Sequence, residues 1–372
     1  MRRLGIKASA FFRAQPVLVI AFAAALVTMF IIPPDRHYGG YINRTVLIQL
    51  FALMASIAGL REAGIFDSAS DVLIRRAGNV RRLAAVLALL CFFSSMLVTN
   101  DVALITFVPL TLLIFRNIPD EKNRILTIVL ETAAANLGSM MTPVGNPQNL
   151  YIYDEFGLTA LDFVKAALPA GLLGIVCVLL ITLFLPREKC AAGERQSGGT
   201  DIKKALLYGA LFVVCLLSVF RVVPDLILLA VVTVVVLIAD RRLLFKVDYA
   251  LLATFVCFFI FVGNIARIDA VNSFFSHVVT GRELVVSVLL SQVISNVPAA
   301  VMLAGFTDNG TQLMLGVDIG GLGTIIASLA SLISFQFYRK AEGAKTGRYM
   351  LTFSVVNFSV LAIILTMELL IG

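Results

Sequence analysis

The sequence predicts an all-α polytopic membrane protein, built as an inverted repeat with about nine spanning helices and two re-entrant hairpins. Three observations carry that prediction. Hydrophobic residues make up 59% of the 372-residue chain and charged residues 14%, too few charges for the surface of a soluble protein of this size. The basic residues gather in short segments between apolar runs. Two of those runs carry polar groups at their middle, where hydrocarbon makes them expensive. A formal charge of +7 would suggest a nucleic-acid partner in a soluble domain. Here it reads as loops on one face of a lipid bilayer, with no nucleic acid involved.

Taken in order, the first apolar run starts near Pro16, after the basic Met1–Arg13, with no small-residue cleavage site after it. It reads as an uncleaved first span. The further spans expected are Thr45–Leu60, Ile125–Thr142, Val164–Leu185, Ala205–Phe220, Leu226–Ala239, Tyr249–Ile265, Gln312–Phe337 and Tyr349–Ile371. Two runs behave differently. Leu83–Phe115 has Ser94, Ser95, Thr99, Asn100 and Asp101 at its middle, and Leu284–Phe306 repeats the pattern with Ser291, Ser295 and Asn296. Each is expected to turn back to the side it entered, the first opening inward and the second outward.

Charge supports that layout. With the N-terminus in the cytoplasm, the segments Met1–Arg13, Arg61–Arg82, Arg116–Arg124, Pro186–Lys204, Asp240–Lys246 and Arg339–Arg348 face inward. They hold 24 of the 30 Lys and Arg residues. Reading either hairpin as a full crossing inverts everything after it and destroys the asymmetry. The expected location is a prokaryotic cytoplasmic (inner) membrane, with the C-terminus outside. Residues 1–186 form the first half with its hairpin at 83–115, 187–204 a polar cytoplasmic linker, and 205–372 the second half with its hairpin at 284–306. In each half a span (Thr45–Leu60, Tyr249–Ile265) precedes an amphipathic stretch (Phe66–Arg76, Asp269–Val279) and then the hairpin.

The chemistry concentrates in the hairpin tips and in two further stretches, Glu131–Asn149 and Gly316–Ser331. Pro143, Gly145 and Pro147 break any helix through the former, and Gly320, Gly321 and Gly323 weaken one through the latter. Breaking a helix frees N–H groups that suit an anion and carbonyls that suit a cation. Candidate substrate-binding residues are Thr99, Asn100, Thr142, Asn146, Ser295, Asn296 and Thr324. Candidates for a coupling ion or proton are Ser95, Asp101, Glu131, Gly145, Ser291 and Asp318. Asp101, Glu131 and Asp318 are the carboxylates placed deepest, and no Lys or Arg lies deep enough in a span to pair with them, so each is a candidate proton carrier. Lone Ser and Thr residues in such helices usually bond backbone, and Gly171 and Gly174 read as helix packing.

An enzyme is not expected. The five cysteines show no C-x-x-C spacing, His37 and His277 lie far apart, and neither H-E-x-x-H nor G-x-S-x-G occurs. No metal site or cofactor is expected beyond a coupling proton or sodium ion. A channel would also need polar residues at mid-depth.

The stretches TNDVALITFVPL (Thr99–Leu110), ETAAANLGSMMTPVGNPQNL (Glu131–Leu150), SNVPA (Ser295–Ala299) and GVDIGGLGTIIASLAS (Gly316–Ser331) resemble one family. It is the arsenite permease and NhaD-type sodium/proton antiporter group of the ion transporter superfamily, related to citrate carriers and divalent anion/sodium symporters. The resemblance implies an elevator-like carrier, a homodimer, whose moving part holds the hairpins and broken helices. It also implies cation sites at Ser95, Thr99, Asn100 and Gly145, and at Ser291, Ser295 and Asn296. The second half departs from that pattern. Thr324-Ile325-Ile326-Ala327 replaces T-P-x-G, and Val297 stands where the symporters have Thr. Asp101 resembles the arsenite permease pattern, which leans toward proton coupling. The function expected is ion-coupled transport of a small inorganic or organic anion or oxyanion, with sodium/proton exchange as the alternative.

Overall fold

A computed structural model describes residues 16–65, 78–115, 121–188 and 200–371. The basic Met1–Arg13, the amphipathic Phe66–Arg76 and linker residues 189–199 lie outside the described residues. Among those described, every regular element is helical. The first half holds α1 (Pro16–Ile31), the short α2 (Tyr38–Tyr41), α3 (Arg44–Glu62), α4 (Val80–Val98), α5 (Asn100–Ile114), α6 (Glu121–Ser139), α7 (Pro147–Glu155) and α8 (Ala160–Thr182). The second holds α9 (Ile202–Val219), α10 (Asp225–Asp240), α11 (Tyr249–Ala266), α12 (Asp269–Val279) and α13 (Glu283–Ile294). It continues with α14 (Asn296–Ala304), α15 (Gly310–Gly320), α16 (Leu329–Arg339) and α17 (Thr346–Ile371).

Local sequence sets the helix starts. Asn43, Asn79, Asn146, Thr159, Asp201, Asp248 and Asn309 each accept a hydrogen bond from a backbone N–H of the first turn they precede. Pro147 follows Asn146 at the first helical position, where its missing N–H costs nothing.

Six described helices are long and apolar enough to cross a bilayer alone: α3, α4, α8, α9, α11 and α17. α1 and α10, expected to span, are 16 residues each. The predicted span Gln312–Phe337 is two helices, α15 and α16, separated by residues 321–328. Likewise Ile125–Thr142 leaves its helix at Ser139, so Thr142 sits in a turn. α4 was expected as one arm of a hairpin and is itself 19 residues long. Large apolar side chains such as Phe30, Phe184, Ile238 and Leu370 are each more than 80% exposed, as lipid-facing groups must be.

The packing is reciprocal between the halves. α4 lies along α6 and α13 along α15; α5 packs on α16 and α14 on α7; α1 packs on α11 and α9 on α3. Small residues make the closest of these contacts possible, since in lipid van der Waals fit replaces the hydrophobic drive between helices. A Cβ on Gly138 of α6 would strike the Phe92 carbonyl and Ser95 of α4. A Cβ on Gly320 of α15 would strike Ser291 and Val288 of α13. Gly171 and Gly174 do pack, against Met141 and Leu137.

Candidate functional site

Both hairpins turn on one residue held in the same backbone conformation. Thr99 has φ 81° and ψ 149°, Ser295 φ 77° and ψ 154°. This region is nearly reserved for glycine and costs about 1–3 kcal/mol elsewhere. It starts a helix immediately: Asn100 opens α5 and Asn296 opens α14. Each tip then bonds the break in its own half. The Asn100 N–H donates to the Gly145 carbonyl at 3.1 Å and the Asn296 N–H to the Ala327 carbonyl at 2.9 Å. The Thr142 hydroxyl donates to the Met96 carbonyl at 2.5 Å and the Thr324 hydroxyl to the Gln292 carbonyl at 3.0 Å.

The departure of the second half from T-P-x-G therefore leaves the backbone contact intact, because Ala327 offers the same carbonyl as Gly145. Gly145 itself tolerates no side chain, as its Cβ would enter the Ser139 backbone. What differs is the bracing. Gln292 Nε2 donates to the carbonyls of Val288, Gly320 and Leu322, and its Oε1 accepts from the Thr324 N–H at 2.8 Å. Met96 occupies the matching place in the first hairpin and offers no such bonds.

Two buried polar side chains join the halves at the broken helices. Asn136 Oδ1 accepts from Asn100 Nδ2 at 3.0 Å and from the Ser328 hydroxyl at 3.1 Å. Its Nδ2 donates to the Gly321 carbonyl and to Ser331 Oγ, both at 3.4 Å. Asp318 Oδ1 accepts from Asn146 Nδ2 and Gln148 Nε2, both at 3.2 Å. Asn136 stands six residues before Thr142 as Asp318 stands six before Thr324, so the same crossing bond is made twice.

A cavity of about 670 Å³ opens beside the first tip. Thr99, Asp101 and Asn146 line it, with Leu53, Ile57 and Leu150 as apolar wall. At its mouth stand Arg61, Glu62, Lys246 and Asp248, with Lys246 paired to Glu62. The N-termini of α5 and α7 both reach this space, and such termini present unpaired N–H groups and partial positive charge. A second cavity of about 280 Å³ lies at the other end of α7, between Tyr41, Asn43, Glu155, Phe259 and Gly305. There Asn43 Nδ2 donates to Asp154 Oδ2 at 2.8 Å, tying α3 to α7.

The remaining predicted residues are placed as follows. Ser95 and Ser291 are fully buried and donate to the carbonyls of Phe92 and Ser287 in their own helices. Ser295 Oγ donates to the Ala327 carbonyl at 3.3 Å. Glu131, fully buried, accepts from the Thr111 hydroxyl of α5 and lies apart from the large cavity. Asn136, Gln292 and Ser328 were not singled out from the sequence. The common spacing of Asn136 and Asp318 from their threonines was the signal that could have found the first. The charged mouth, Arg61, Glu62, Lys246 and Asp248, carries no motif and comes together only in the fold.

The pattern of the CitMHS citrate transporter family matches residues 8–318. An uncharacterized transporter of Methanocaldococcus jannaschii is 31% identical over 343 residues, covering 91% of this chain and 93% of that protein. The inner membrane protein YbiR of Escherichia coli is 30% identical over 317 residues, covering 82% of this chain and 83% of that protein. In three dimensions the chain is similar to the Alcanivorax borkumensis YdaH transporter, known from a crystal structure with an unusual topology. The TM-score is 0.60 at 13% identity, covering 96% of this chain and 97% of that one, a likeness of fold alone. With its apolar helices, paired hairpin tips and broken helices, the chain belongs to the CitMHS citrate transporter family: it is a multi-pass membrane transporter, not an enzyme.

Proposed function

We propose that the protein is an ion-coupled secondary carrier of a small anion or oxyanion across the cytoplasmic membrane. One observation carries the reading. The cavity at the first hairpin tip is reached by the N-termini of two half-helices, and its mouth carries Arg61 and Lys246 beside Glu62 and Asp248. Those helix ends attract an anion and solvate it with backbone N–H groups once it has shed water. Thr99 and Asn146 supply hydroxyl and amide contacts that suit oxygen-rich cargo. Asn100 and Asn296 hold the tips, and Asp101, half-buried in the cavity wall, is the group there that can take up or release a proton.

Arg61 and Lys246 belong to the segments whose charge reads as cytoplasmic, so the cavity beside the first tip is the inward-facing access and the one at the other end of α7 lies on the outer side. The two inverted-repeat halves alternate by an elevator movement. The part holding α4–α7 and α13–α16 shifts against α3 and α11, and a homodimer anchors the static part. Reciprocal packing between the halves supports this reading, because two equal sets of contacts can exchange roles.

Reconstitution in liposomes tests it. Asn100→Ala and Asn296→Ala should abolish saturable uptake or efflux of the transported anion while the protein remains folded; unchanged flux in both sinks the site. A sodium pulse that releases protons from vesicles, with no anion flux, replaces the carrier reading with sodium/proton exchange.

A further inference from the structure

The last turn of α7 is gripped at three consecutive residues by side chains from the static part. Asn43, which precedes α3, donates from Nδ2 to Asp154 Oδ2 at 2.8 Å and to Glu155 Oε2 at 3.5 Å. Arg221, in the turn between α9 and α10, donates from Nη2 to the Tyr153 carbonyl at 3.0 Å. Its guanidinium also lies over the Tyr153 ring, 5.0 Å from the centroid. A cation suits that place, because the C-terminus of a helix carries partial negative charge.

Both grips come from one packed unit. α9 and α10 pack on α3, and Gln49 Nε2 of α3 donates to the Ser218 carbonyl near the end of α9 at 3.2 Å. Asn43 is fixed by its own helix, since its Oδ1 caps α3 by accepting from the Val46 N–H. Arg221 is fixed by its turn. Its N–H donates to the Ser218 carbonyl at 2.9 Å and the Val222 N–H to the Leu217 carbonyl at 2.8 Å. That pair of bonds ends a helix in a left-handed residue, most often glycine. Here the residue is Arg221, at φ 63°. A long side chain kept where glycine fits better points to a use for the side chain.

The hold at the inner end is weaker. Arg61 Nη2 of α3 reaches the Ile105 carbonyl of α5 at 3.5 Å, beyond the usual length of a hydrogen bond. The cavity of about 670 Å³ is open there, whereas the space beside the grips, between Tyr41 and Phe259 on one side and Tyr151 and Val301 on the other, is about 280 Å³. α7 connects the two ends as one rigid element. Asn146 at its start lines the large cavity, and its gripped last turn lies about 12 Å away.

We propose that Arg221 and Asn43 form an outer latch, which holds α7 in the inward-facing state and lets go whenever the outer path opens. The inference rests on the moving and static parts of the carrier reading, and adds which bonds set the balance between its two states. Both are positioning residues, acting through where they place α7. Bonds made in one state and lost in the other bias the equilibrium toward the first, so removing them favours the second.

Each grip can be removed without unmaking the turn that carries it. Arg221→Gly takes away the side chain and suits the left-handed backbone. Asn43→Asp keeps the oxygen that caps α3 and replaces the donor with a carboxylate facing Asp154 and Glu155.

A thiol reporter on each side reads access in the full-length protein. Val301→Cys on α14 lines the outer cavity and is labelled in right-side-out vesicles; Met54→Cys on α3 lines the inner cavity and is labelled in inside-out vesicles. The probe is a membrane-impermeant maleimide, with the chain lacking the reporter as background, so the result does not depend on which anion is carried. Arg221→Gly and Asn43→Asp should each raise outer labelling several-fold and lower inner labelling in step. Labelling unchanged on both sides in both variants overturns the latch and leaves the carrier reading standing. Outer labelling that rises alone also overturns it, since the bonds then serve local packing only. Labelling that rises on both sides, with the unfolding midpoint unchanged, describes a pore, and the latch and the carrier reading fall together.

Discussion

Thr99 and Ser295 hold a conformation that glycine would adopt freely, and the chain nonetheless places a hydroxyl at both. Strain kept twice at matching positions marks residues whose side chains are used. Thr99→Gly should relieve it and raise stability by about 1 kcal/mol, after the entropy that glycine forfeits on folding. Thermal unfolding in detergent would show that gain, and the same variant should transport poorly because the hydroxyl in the cavity wall is gone. Gly145 gives the opposite case. Gly145→Ala drives a Cβ into the Ser139 backbone and should cost about 1–3 kcal/mol, read as a lowered unfolding midpoint.

The unit at the next scale is a hairpin with the broken helix it touches. In both halves a tip N–H and a loop hydroxyl join the two, but only the second hairpin has the Gln292 brace. Gln292→Met, which copies Met96, leaves the Gly320 and Leu322 carbonyls and the Thr324 N–H without that partner. It should destabilise the second hairpin by about 1–3 kcal/mol per group left unpaired. Hydrogen exchange in α14 and residues 321–328 should quicken while α5 is unaffected. The first hairpin, more lightly held, is the one that borders the large cavity.

At the scale of the whole molecule, the charged mouth of the cavity is assembled from the end of α3 and the segment before α11. Arg61→Ala combined with Lys246→Ala should lower anion uptake several-fold at low ionic strength and much less at high salt, because steering is screened beyond about 10 Å at 0.1 M. Equal loss at both ionic strengths would assign these residues to structure instead.

The all-helical membrane architecture, the turning residues Thr99 and Ser295 and the two broken helices were legible in the sequence. Each depends on local chemistry: apolar length, a polar tip, proline and glycine at a break. Asn100, Asn146 and Asn296 were legible for the same reason. The pairing of Asn136 with Ser328 and of Asp318 with Asn146 was not, because each joins residues more than 170 positions apart. Local sequence determines where a helix must start, stop or break, since its backbone bonds are satisfied within a few residues. Which buried polar atom finds a partner is decided only when the halves pack.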